Sequence, residues 1–230
     1  MSFKQLQKLG FDVHRIMETV VTTLNKDGSV NAAPMGVMLQ RKDEPFLIRP
    51  YVNTRTFRNL IERREAVINI TSDPEIFFKT TFKEVLPAKR IPASWISSSK
   101  TLQVGRLKKV NSWVEVIAKN HVIVKDRASI SCKPLAIVSG DNVTRAYSRA
   151  GSLVIESIIH ATRVKLFNRR GEKDRVRVLL SLINNYADVV RRVAANSIED
   201  RTMKALKKLI LSWNVDVDST LSWKGLVPID

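Results

Sequence analysis

The residues whose types and spacing can do chemistry lie in one short run: Asn53, Thr54, Arg55, Thr56, Arg58 and Asn59, inside RPYVNTRTFRNL. The run reads as the start of a helix. Open N–H groups of a first helical turn, the hydroxyls of Thr54 and Thr56 and a guanidinium make a donor set for a phosphate dianion. Either Arg55 or Arg58 can face that anion, because both fall within the first two turns. The same residues also fit an ordinary capped helix with solvated arginines. Upstream, Ala33, Pro34, Met35, Gly36 and Val37 interrupt a strand pattern with mostly small residues. Small side chains let a flat ring approach the backbone, and Pro34 stiffens the segment. The ordinary alternative is an edge-strand bulge without a ligand. A phosphate seat close in sequence to a ring-lining strand points to a mononucleotide cofactor. Tyr51 and Trp95 can stack on its ring or on a substrate, although lone aromatics more often pack in cores or rims.

Other reactive side chains form weaker patterns. Glu156 and His160 stand at i, i+4 with Arg163 a turn further on, a spacing that suits a metal or a Glu–His acid/base pair. It equally suits a local pair on a packed helix. His14 and His121 are remote in sequence, so no metal is expected. Cys132 lies in a strand-like ISCKPL and reads as a buried small hydrophobe. A single cysteine excludes an internal disulfide and fits a reducing cytoplasm. The chain carries neither a glycine-rich dinucleotide fingerprint nor a P-loop, which disfavours a classical dehydrogenase or a P-loop ATPase. No side chain is assigned a catalytic role.

The elements that must position these groups follow from pattern and turn chemistry. Residues 17–24 and 30–39 alternate around Asn25, Lys26, Asp27 and Gly28, a hairpin signal. A short helix within residues 1–16 leads into it. Residues 45–49 read as a short strand. Residues 54–64 read as a helix with Phe57, Leu60 and Ile61 on one side and the arginines outside. Residues 66–71 are β-branched and strand-like, and Asp73 and Pro74 start another helix. Residues 83–100, with Pro87, Pro92, Trp95 and three serines, read as a long loop of the kind that often binds ligands. Strand patterns return at 112–124 and 128–138, and the turn at 139–142 marks a domain boundary. Three helical patterns follow, at 145–167, 173–195 and 199–213. The first carries Ala150, Leu153, Val154, Ile158 and Ala161 on its apolar side. Short alternating pieces at 215–217 and 226–229 end the chain. The order predicts an α+β protein: a β-barrel domain over 1–140 and a helical subdomain with a short β-like tail over 141–230.

At 230 residues and 44% hydrophobic content, the chain can build a real core. No apolar run reaches membrane-spanning length, and the N-terminal residues lack the apolar stretch of a secretory signal. The net charge of +17 raises the alternative of a nucleic-acid or other polyanion partner. Residues 1–140 hold 23 Lys and Arg against 12 Asp and Glu, and the remainder 16 against 10. The excess is therefore spread over both parts, which argues for general electrostatics over a dedicated reading head. Arg169, Arg170, Arg191, Arg192, Lys204, Lys207 and Lys208 are the cations such a partner would meet.

Several motifs in order carry a family resemblance: ETVVTTLNKDGSVNAAPMGV at 18–37, RPYVNTRTFRNL at 49–60 and EAVINITSDPEIF at 65–77. AYSRAG at 146–151 and VIESIIHATRV at 154–164 complete the set. In these the chain resembles the FMN-binding split β-barrel proteins of flavin reductase-like type. It looks most like a largely archaeal, functionally uncharacterised branch with a C-terminal helical subdomain. The resemblance implies a split β-barrel, FMN at or near the interface of a homodimer, and redox chemistry with NAD(P)H as a candidate reductant. It also strengthens the phosphate role of the run from Asn53. It supplies no substrate, because fold does not fix function. FMN bound without turnover remains a milder possibility alongside the polyanion one.

Overall fold

Alternation and turn chemistry decide the first half of the chain. In the computed structural model, which describes residues 3–41, 45–140, 144–213 and 215, helix α1 (Phe3–Lys8) leads into a hairpin of β1 (Ile16–Leu24) and β2 (Val30–Leu39). The Asn25 N–H donates to the Ser29 carbonyl at 2.9 Å across the turn. Gly28 sits at φ +79°, a conformation that glycine adopts without strain. Strand β3 (Phe46–Ile48), helix α2 (Arg55–Glu62), strand β4 (Glu65–Ile70) and helix α3 (Pro74–Thr81) follow. Asp73 caps α3 by accepting from Glu75 N–H at 2.8 Å, with Pro74 in the first turn. Then come the short strands β5 (Ile96–Ser97) and β6 (Arg106–Leu107) and the long strands β7 (Ser112–Val124) and β8 (Arg127–Ser139).

Six strands close into an antiparallel barrel in the order β1-β2-β3-β8-β7-β4, while β5 and β6 pair as a small separate sheet. The inner faces supply the core: Val21, Val37, Phe46, Ile48, Ile68, Val114, Val116, Ile130 and Cys132, joined by Leu6, Leu9 and Phe11 from the N-terminal segment. Phe11 meets Phe46 edge to face with ring centroids 5.0 Å apart. A second apolar cluster joins Val20, Ala32, Ile76, Leu86, Ile91, Leu107 and Val110. The architecture is a split β-barrel followed by a helical subdomain: the barrel-then-helices order is the one the pattern predicts, and the split barrel is the one the family resemblance implies.

Two local expectations change. The run from Ala33 to Gly36 is no bulge: β2 pairs with β1 in unbroken register, including Val21 with Ala33, Val20 with Pro34 and Glu18 with Gly36. Its other edge explains the unusual composition. On the β2 side, β3 pairs with Val37, Met38 and Leu39, so among the described residues Pro34 has no second strand to which it must donate. Residues 83–100 are also more ordered than a loop. They form 3-10 turns at Lys83–Val85, Pro87–Lys89 and Ala93–Trp95 and the strand β5, whose apolar residues pack on the second cluster.

The chain divides into two compact units, Met1–Ser148 and Arg149–Asp230. The segment before the division belongs to the barrel by its hydrogen bonds: Ala146 N–H donates to the Leu9 carbonyl, and Glu18 N–H to the Tyr147 carbonyl, both at 2.7 Å. The second unit contains α4 (Arg149–Arg169), α5 (Lys173–Val193) and α6 (Ile198–Leu211). Gly171, at φ +73°, turns the chain between α4 and α5. Ser197 caps α6. Val154, Ala161 and Val164 of α4, Leu180, Ile183 and Val190 of α5 and Met203 and Ile210 of α6 are buried. Ile158, expected on the apolar side, is 42% exposed. Helical periodicity carries the buried face through Val154, Ser157 and Ala161 instead. Ser157 is accommodated because its hydroxyl donates to the Leu153 carbonyl at 2.7 Å. Apart from Val215, the pieces expected at 215–217 and 226–229 lie outside the described residues.

Candidate functional site

Helix α2 lies against the β1–β2 hairpin and turns two unlike faces. Thr54 is its N-cap: the hydroxyl accepts from Phe57 N–H at 3.3 Å and donates to the Tyr51 carbonyl at 2.7 Å. Leu60 is fully buried in the barrel core. Thr56 and Asn59 are buried beside it and would cost free energy there without partners. The hairpin supplies them. Asn31 Nδ2 donates to Thr56 Oγ1 at 3.1 Å. Asn59 Nδ2 donates to Thr23 Oγ1 at 3.0 Å and to Asn25 Oδ1 at 2.9 Å. This polar layer fixes the helix on the barrel and turns its arginines outward.

Those arginines open onto a cleft of about 360 Å3 lined by Asn31, Arg55, Arg58, Asn59, Lys83 and Arg90, among others. Most of its lining is polar or charged. Lys83 comes from the turn after α3, and its Nζ donates to Asn31 Oδ1 at 3.1 Å. Burial, and then the neighbouring Arg55 charge, draw the Lys83 ammonium below its ordinary pKa. Two other cations are already matched: Lys26 meets Glu62 at 3.1 Å, and Arg90 meets Asp27 at 3.7 Å. The Ser29 hydroxyl and N–H, and then Arg90, hold the Asp27 carboxyl below its usual range despite some desolvation. Arg55, Arg58 and Lys83 have no carboxylate within salt-bridge distance among the described residues.

The structure therefore brings Arg55, Arg58 and Asn59 to one cleft, with Thr56 directly behind it through Asn31. It leaves others elsewhere. Thr54 is engaged in capping, and Asn53 is exposed next to it. Tyr51 is 45% exposed, with the Arg127 guanidinium 3.8 Å from its ring centroid. Trp95 packs on the second apolar cluster with the Lys79 ammonium over its ring. Ala33, Pro34, Met35 and Gly36 are half-buried, and Val37 is fully buried. None of these five lines the cleft. They continue β2 beyond Asn31, and among the described residues no strand lies beside residues 30–36 on the β3 side.

Asn31, Lys83 and Arg90 are among the cleft residues that the sequence does not single out. Asn31 was within reach, because the hairpin register places it opposite Thr23. Lys83 and Arg90 were not, since their segment has no period to follow. The remaining reactive groups are quiet. Burial pushes the Cys132 thiol up to about 12. His160 stacks on Tyr186 with centroids 6.0 Å apart, while Glu156 is exposed. Among the described residues, no three His, Cys, Asp or Glu side chains gather as a metal site.

The barrel with its C-terminal helices is similar to the crystal structure of an FMN-bound protein from Methanosarcina mazei assigned to DUF447. The TM-score is 0.52 at 22% identity, covering 88% of this chain and 98% of that one. At this identity the likeness is one of fold. Two bacterial structures align more loosely, and neither informs the site. The 2-nitrobenzoate 2-nitroreductase of Pseudomonas fluorescens has TM-score 0.45 at 22% identity, over 62% of this chain and 76% of that one. The styrene monooxygenase flavin reductase of Pseudomonas putida S12 has TM-score 0.45 at 15% identity, over 59% and 85%. A family model matches residues 17–141, a span that starts in β1 and takes in every barrel strand and the whole cleft. That span exceeds half of the chain, which therefore belongs to the family described as protein of unknown function (DUF447), N-terminal domain.

Proposed function

We propose that this chain is an FMN-binding flavoprotein and an oxidoreductase of flavin reductase-like type, working as a homodimer with NAD(P)H as candidate reductant. The observation that carries the proposal is the convergence of Arg55, Arg58 and Lys83 on one polar cleft. The lining carboxylates Asp27 and Glu62 pair with Arg90 and Lys26 and, among the described residues, none lies within salt-bridge distance of these three cations. Guanidinium and ammonium donors in this number suit a phosphate dianion. Asn31 and Asn59 fix the cleft wall. The ring would lie along Ala33, Pro34, Met35, Gly36 and Val37; over the first four, β2 has no strand on its β3 side among the described residues, and its backbone can meet polar ring edges. Tyr51, Asn53 and Thr54 would border the entrance at the start of α2. Bound FMN supplies reversible electron transfer; the residues of this chain bind it, orient it and leave one ring face open to a substrate.

The polyanion alternative draws less support. Arg170 and Glu172, Arg191 and Asp188, and Lys204 and Asp200 form ion pairs, so part of the expected basic face is neutralised at short range.

The test is titration of the full chain with FMN and riboflavin, followed by flavin fluorescence. Arg55→Ala with Arg58→Ala should weaken FMN binding by about a hundredfold or more, from the loss of two charged hydrogen-bonding groups, while the melting temperature hardly changes. Undiminished FMN affinity in the folded double variant would remove the phosphate assignment.

A further inference from the structure

We propose that Lys83 is the specificity-determining residue by which the cleft tells a phosphorylated flavin from an unphosphorylated one, and that Asn31 is the positioning residue that aims it. Both roles rest on the FMN proposal above and deepen it at two residues of the same cleft.

Asn31 is 4% exposed, and its amide is held at both ends. Nδ2 donates to Thr56 Oγ1 at 3.1 Å and to Thr23 Oγ1 at 3.4 Å. Oδ1 is thereby left facing Lys83, whose Nζ it receives at 3.1 Å. A flipped amide would set NH2 against the ammonium and lose that bond, whereas the two threonine hydroxyls can bond either end of the amide. The ammonium is thus fixed in the cleft by a neutral acceptor, not by a carboxylate. Its charged neighbour Arg55 is repulsive. A half-buried cation pressed towards another cation gains when a dianion arrives between them. Arg55 and Arg58 come from α2 and Lys83 from the turn after α3, so cations from two separate elements line one cleft. Lys26 and Arg90, matched to Glu62 and Asp27 at the rim, have less to gain.

A purely structural Lys83 would serve only to satisfy Asn31, and its replacement would disturb every ligand alike. The experiment separates the two cases by measuring FMN affinity, riboflavin affinity and competition by inorganic phosphate. It uses the full-length wild type, Lys83→Gln, Lys83→Arg and Asn31→Ala, with melting temperatures recorded in parallel. Lys83→Gln retains a donor for Asn31 and removes the charge. It should lower FMN affinity about tenfold to a hundredfold, the range for hydrogen bonds to a charged group, and change riboflavin affinity less than about threefold. Lys83→Arg should recover part of the loss, and Asn31→Ala should shift the FMN-to-riboflavin ratio in the same direction. Equal losses for both flavins, or an unchanged ratio, would overturn the proposal while leaving FMN binding intact. If the wild type binds no FMN, the broader proposal fails, and direct phosphate binding then decides Lys83. Phosphate bound by the wild type but not by Lys83→Gln supports an anion-binding lysine; phosphate bound equally, or by neither, overturns it.

Discussion

At Gly36, a Cβ atom would lie 2.7 Å from Ile16 Cγ2 on the paired strand. The smallness that pointed to a flat ring therefore answers first to packing between β1 and β2. Gly36→Ala should cost about 1–3 kcal/mol, read as a lower denaturation midpoint. In an Ile16→Ala background the added cost should shrink by about 1 kcal/mol; an undiminished cost would show that Ile16 is not the obstacle. Arg55, Arg58 and Asn59 were legible in the sequence because helical spacing and a cap residue betray a helix start. The inward turn of Thr56 was not legible, because it depends on Asn31 across the hairpin. Lys83 and Arg90 were hidden for a different reason: nothing in a stretch with neither period nor cap says where a long side chain will point.

Between elements, the least expected device is a buried carboxylate that ties the chain before β6 to β7. Glu115 is fully buried. Its carboxylate accepts from the N–H groups of Lys100 and Thr101, the Thr101 hydroxyl and Trp113 Nε1. Burial pushes its pKa up, but these hydrogen bonds outweigh burial and hold the carboxyl below its ordinary value. A pKa lower in the fold than in the unfolded chain gives stability that is present above the unfolded value and is lost as pH falls through the folded one. Glu115→Gln should cost about 2–3 kcal/mol at pH 7, because an amide cannot accept from every donor now satisfied. The gap between variant and wild type in urea unfolding should narrow on acidification below the carboxylate range. A gap that stays constant into acid would contradict a stabilising charge there. Strands and capped helices were legible because alternation and caps are local signals. The pairing of β5 with β6 was not, since two-residue strands leave no periodicity and are held by a distant carboxylate.

For the whole molecule, the described residues include no helix long and apolar enough to cross a membrane. Their exposed apolar residues include Val122, Ile123 and Val124, consecutive at the end of β7. We propose this patch as one surface that the homodimer would bury. Val122→Asp with Val124→Asp should shift the mass found by light scattering from dimer to monomer; a mass unchanged from wild type would place the interface elsewhere. The central claim is narrower than assembly or substrate: the cleft at α2 belongs to a flavin phosphate. Its most direct test is the visible absorption spectrum of the purified protein, with the chromophore released by denaturation and identified by mass. The prediction is a flavin spectrum with FMN near one per chain, either as purified or after adding FMN. A colourless protein that takes up no added FMN would contradict it.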